Sequence, residues 1–113
     1  MHRVRLFHWN PGEAAPLVEL LRGEGFAVDY QSKFEPGILR EIRQAAPDAV
    51  VIDLSRLPSH GREIATALRG NKQTRSIPIL FLDGATEKVE AVRQLLPDAA
   101  YTKRARLAAT LRK

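Results

Sequence analysis

Ala49-Val50-Val51-Ile52-Asp53 is a run of four apolar residues, three of them β-branched, that ends on a carboxylate. Pro47-Asp48 precedes it and Leu54 follows. A half-exposed strand alternates apolar and polar residues, whereas a strand covered on both faces is apolar throughout. The run therefore predicts a central strand of a parallel sheet, with Asp53 at its carboxyl end. Ile77-Pro78-Ile79-Leu80-Phe81-Leu82 has the same character and ends at Asp83-Gly84.

Three more strands are expected: Val4-Arg5-Leu6-Phe7-His8-Trp9, the alternating Phe26-Ala27-Val28-Asp29-Tyr30, and the short Ala99-Ala100-Tyr101-Thr102. Helical patterns separate them. The first carries Leu17, Val18 and Leu21, follows the break Asn10-Pro11-Gly12, and is closed by Gly23 and Gly25; Pro16 is expected in its first turn or at a kink. The second opens at Pro36-Gly37 and carries Ile38, Leu39, Ile42 and Ala45. The third carries Ile64, Ala65 and Leu68 after a loop, Leu54 to Gly61. The fourth is N-capped by Thr86 and carries Val89, Val92, Leu95 and Leu96, and the fifth carries Leu107 and Leu111. Five βα units without a linker predict one domain over residues 1–113. The expected fold class is α/β, a three-layer (βα)5 doubly wound parallel sheet with helices on both faces. The usual strand order is 2-1-3-4-5, which places a crevice beyond the carboxyl ends of strands 1 and 3.

Composition limits the function classes. The chain has 113 residues, 44% of them hydrophobic, and no cysteine. Disulfides, thiol nucleophiles and thiolate metal sites are excluded. No apolar run approaches the roughly 20 residues of a membrane helix, and no apolar segment follows the charged N-terminus as in a secretory leader. A cytoplasmic, bacterial-type setting is expected. The formal charge is +5. Lys103, Arg104, Arg106, Arg112 and Lys113 concentrate positive charge near the end. This fits a face for nucleic acid or an acidic protein. The reading preferred over it is a solvated helix whose cations suit the helix dipole. Few aromatics lie among these charges to stack on bases, so nucleic acid is not the expected partner.

The topology brings His8, Trp9, Asp53, Asp83 and Lys103 to one edge. Asp53 has the chemistry of a phosphoryl-accepting nucleophile and Lys103 that of a charge-neutralising partner; the bland alternative is an ion pair at the mouth of the sheet. His8, His60, Asp53 and Asp83 match no known metal-ligand spacing, and no metal site is expected. Trp9 either fills the crevice or anchors a partner. Arg56, His60 and Arg62 lie on the stretch that follows Asp53, either as contacts for a partner or anion or as part of a turn into the third helix.

Pro47-Asp48-Ala49-Val50-Val51-Ile52-Asp53-Leu54, with Pro58, Gly61, the Ile77–Leu82 strand and Lys103, resembles the receiver domain of bacterial two-component response regulators, a flavodoxin- and CheY-like fold. The resemblance spans essentially the whole chain and puts Asp53 on the phosphoacceptor position. It also exposes departures. The two acidic residues that hold Mg²⁺ in receivers are His8 and Trp9 here. The Ser/Thr after strand 4 is Asp83, the aromatic of strand 5 falls on Ala100 beside Tyr101, and the proline after the lysine is Arg104. The resemblance thus implies a degenerate, or pseudo-, receiver: a stand-alone, non-enzymatic protein-interaction module without cofactor and without conventional Mg²⁺-dependent phosphorylation. Lys103 is expected to bridge Asp53 and Asp83. The expected partners are a histidine kinase or an effector, or a second copy through the fourth helix, fifth strand and fifth helix (Thr86 to Lys113), with Tyr101, Arg104 and Arg106 among the contacts. A phosphoacceptor working through Asp53, a small basic nucleic-acid-binding protein and a ligand sensor in the crevice are the alternative readings.

Overall fold

The computed structural model describes residues 3–33, 35–53, 58–82, 100–102 and 111, with the backbone alone at 36, 58–62 and 100–102. In chain order these form β1 (Arg3–Phe7), α1 (Pro11–Gly23), β2 (Ala27–Gln31), α2 (Pro36–Gln44), β3 (Ala49–Asp53), α3 (Pro58–Arg69), β4 (Ile79–Leu82) and β5 (Ala100–Thr102). All pairings are parallel. The sheet order is β2-β1-β3-β4-β5, as the alternation of strands and helices predicts. The predicted fourth helix, the predicted Lys103 bridge and most of the fifth helix lie outside the described residues.

Strand parity divides the interior into two layers. Phe7, Val50, Ile52, Ile79 and Phe81 face one side, under Ile38 and Ile42 of α2 and Ile64, Ala65 and Leu68 of α3. Val4, Leu6, Val51, Leu80 and Leu82 face the other, under Leu17, Val18 and Leu21 of α1, with Leu111 packed alongside. The apolar run of β3 serves both layers at once, which is why it carries no polar residue before Asp53.

The structure moves several boundaries. Asn10-Pro11-Gly12 is a helix start instead of a break. Asn10 Oδ1 accepts the Glu13 amide at 3.1 Å. Pro11 takes the first helical position, where its missing N–H costs nothing. Pro16 sits in the body of α1, beyond the first turn. Likewise Pro58, Ser59 and His60 begin α3, so His60 belongs to a helix and not to a loop. Ile77 and Pro78 fall before β4, in a turn closed by the Ile77 amide on Thr74 O. The expected end of α1 at Gly23 and Gly25 is a Schellman motif. The Phe26 amide donates to Leu21 O and the Gly25 amide to Arg22 O, and Gly25 adopts φ 96°.

Candidate functional site

The edge beyond β1 and β3 is built by register. Phe7 pairs with Ile52, so the next residue on each strand, His8 and Asp53, meets its neighbour across the gap. Both continue the parity of Val4, Leu6 and Val51 and lie on the α1 side of the sheet. Both side chains are fully buried, and His8 Nε2 stands 3.8 Å from Asp53 Oδ2.

Three further bonds hold His8. Its amide donates to Gln31 O at 3.1 Å. The Tyr30 hydroxyl donates to its carbonyl at 2.8 Å. The Asn10 amide donates to its Nδ1 at 3.2 Å. The last bond decides the tautomer. Nδ1 accepts, so it presents a lone pair, and the proton of a neutral ring resides on Nε2, facing Asp53. Burial raises the Tyr30 phenol above its ordinary value of 10.0. Tyr30 also lines a shallow groove of about 290 Å³ with Pro11, Ala15, Val18, Glu19 and Arg22.

Trp9 is half-buried and turns the other way, packing against the cluster beneath α2 and α3. The topology places β5, with Tyr101, beside β4. The backbone of His60 and Arg62 lies at the start of α3. Arg56, Asp83, Lys103, Arg104 and Arg106 fall outside the described residues. The structure therefore brings together two of the residues expected at this edge, His8 and Asp53, and turns Trp9 to the opposite face.

Tyr30, Asn10 and Gln31 are the participants that sequence reasoning missed. Tyr30 read as the last residue of a strand and Asn10 as a breaker, and Gln31, which the structure adds to β2, lay outside the expected strand. Only the Asn-Pro pair before a helical pattern carried a signal, that of an N-cap.

Mg²⁺ takes a near-octahedral shell of oxygen ligands. Among the described residues this edge offers one carboxylate, and the group facing it is an imidazole N–H, a donor and not a ligand. That set does not fit Mg²⁺. Among the described residues no group of three or more His, Asp or Glu is placed to hold a metal ion. No helix among them is long and apolar enough to cross a membrane.

No family model matches the chain, and no curated protein matches it. Solved structures do. The chemotaxis protein CheY4 of Vibrio cholerae superposes with a TM-score of 0.78 at 20% identity, over 99% of this chain and 97% of that one. The signal receiver domain of a signal transduction histidine kinase from Syntrophus aciditrophicus gives 0.77 at 19% identity, over 99% and 88%. The receiver domain of the sensor histidine kinase PA1611 from Pseudomonas aeruginosa PAO1, which holds a magnesium ion coordinated in its active-site cleft, gives 0.74 at 24% identity, over 98% and 94%. The fold of this chain is that of the receiver domain.

Proposed function

We propose that this chain is a receiver-type module of signal transduction that acts through protein contacts, with Asp53 held as a buried partner of His8 instead of serving as a phosphoacceptor. The observation that carries the reading is the fully buried His8–Asp53 contact at 3.8 Å. Phosphorylation of an aspartate requires a carboxylate oxygen to attack phosphorus in line with the leaving group, with cationic help for the charge that develops. A buried carboxylate facing a neutral ring is poorly placed for that attack. The module catalyses no reaction of its own in this reading, and its partner is another signalling protein, such as a kinase or an effector.

Incubation with a small phosphodonor and Mg²⁺, read by intact mass, tests the reading. The expected result is an unmodified chain. A phosphoryl adduct on the parent that disappears in Asp53→Asn would overturn it in favour of a working phosphoacceptor.

A further inference from the structure

A carboxylate taken out of water needs donors or a cation around it. Asp53 is fully buried, and so is the ring that faces it. What that ring can offer is fixed by the local chain. The Asn10 amide occupies the Nδ1 lone pair at 3.2 Å. A neutral His8 is therefore an N–H donor at Nε2. A metal-ligating imidazole needs its lone pair at the metal-facing nitrogen. Among the described residues Nε2 makes no hydrogen bond, although it is completely buried and lies 3.8 Å from Asp53 Oδ2.

We propose that His8 is a tautomer-locked N–H group that stands in for a divalent cation at Asp53, completing this edge of the sheet without metal and closing it to Mg²⁺. At 3.8 Å the pair is longer than a direct hydrogen bond. The N–H acts on the carboxylate as an oriented dipole, and low surrounding polarity strengthens that effect. The lock is backed from β2, because Gln31 O receives the His8 amide and the Tyr30 hydroxyl holds the His8 carbonyl. The backbone that carries the ring is thus fixed on both sides of the residue. The inference deepens the functional reading above and rests on it for the view that this edge works without a metal.

The direct test is ¹⁵N NMR of the ring nitrogens in the histidine-labelled protein. The chain has 3 histidines, His2, His8 and His60, and the His8 ring is assigned by its loss in a variant. The expected spectrum shows His8 with a protonated Nε2 and an unprotonated Nδ1, unmoved by Mg²⁺. An Nδ1–H tautomer, or a His8 resonance that shifts on adding Mg²⁺, would overturn the proposal.

Two variants separate its parts. In His8→Gln an amide N–H takes the place of Nε2–H; in His8→Asn an oxygen takes the place of Nδ1. Thermal melts should place His8→Gln close to the parent and His8→Asn lower by roughly 5–10 °C. The reverse order would mean that the bond from Asn10 is the whole purpose of His8. If neither variant folds, the tautomer and the Mg²⁺ titration of the parent still decide. An aspartyl phosphate on the parent, with the His8 ring indifferent to Mg²⁺, would sink the functional reading alone. A Mg²⁺ response of His8 without an adduct would sink this proposal alone.

Discussion

Tyr30 ties the edge strand to the residue after β1 through one hydrogen bond, from its hydroxyl to His8 O at 2.8 Å. Removing the hydroxyl in Tyr30→Phe leaves that carbonyl with one partner fewer, and chemical denaturation should show a loss of about 1 kcal/mol. The phenol titrates above 10.0 in the folded chain because burial disfavours the phenolate. The folded state thus holds this proton more tightly than the unfolded state. Its contribution is complete below pH 10 and is lost as pH rises from there through the raised value. The parent should lose stability over that alkaline window more steeply than Tyr30→Phe, which has no proton to release there. Equal alkaline slopes in the two proteins would contradict this. None of it was legible from the sequence, in which Tyr30 is one aromatic in an alternating strand. That His8 and Asp53 share one edge was legible from topology, because both follow neighbouring parallel strands; their direct contact was not, since Lys103 was the expected partner of Asp53. The burial of the ring and its tautomer depend on the Asn10 amide turning back by two residues, and no periodicity reports that.

At the scale of elements, α1 is defined by chemistry at both ends. Asn10 supplies the N-cap, and Asn10→Ala should cost about 1 kcal/mol. At the other end Gly25 sits at φ 96°, and a Cβ added there would meet no atom within 4 Å. The cost of Gly25→Ala is therefore conformational and not steric crowding with neighbours. It should be about 1–2 kcal/mol in a denaturant titration, with little change in slope. An unchanged midpoint would mean that the turn rearranges freely. The glycine signal was readable in the sequence because a left-handed position strongly favours glycine. The start of α2 at Pro36-Gly37 was read as well, but those of α1 and α3 were not, because Asn10-Pro11-Gly12 and Pro58-Ser59-His60-Gly61 contain the same residue types that build turns. Proline breaks a helix from within yet suits its first turn, so composition alone does not distinguish the two cases. Thr74 was equally silent. It is fully buried, and its hydroxyl donates to Leu68 O at 2.6 Å, anchoring the α3–β4 connection. Arg69 reinforces that connection by donating to Arg75 O and Ile77 O.

For the whole molecule, the legible feature was the sheet with its two covered faces. The order β2-β1-β3-β4-β5 follows from parallel strands joined by right-handed crossovers, and the continuous apolar strands follow from helices on both sides. Each strand sends alternate side chains into separate layers, and among the described residues the two buried clusters have no member in common. Ile64 lies in the layer beneath α2 and α3, and Val18 lies in the layer beneath α1. Ile64→Val should cost about 0.5–1.5 kcal/mol through the methylene it removes. Val18→Ala removes two such groups and should cost roughly twice as much, about 1–3 kcal/mol. The two residues share no cluster, so the double variant should lose the sum of the single losses to within about 0.5 kcal/mol. Leu17→Ala combined with Val18→Ala alters a single layer, and that pair is expected to deviate from the sum. Denaturant unfolding of the single and double variants measures both cycles. A coupling between Ile64 and Val18 as large as that between Leu17 and Val18 would show that the sheet transmits strain from one layer to the other, and the picture of two independent interiors would fail.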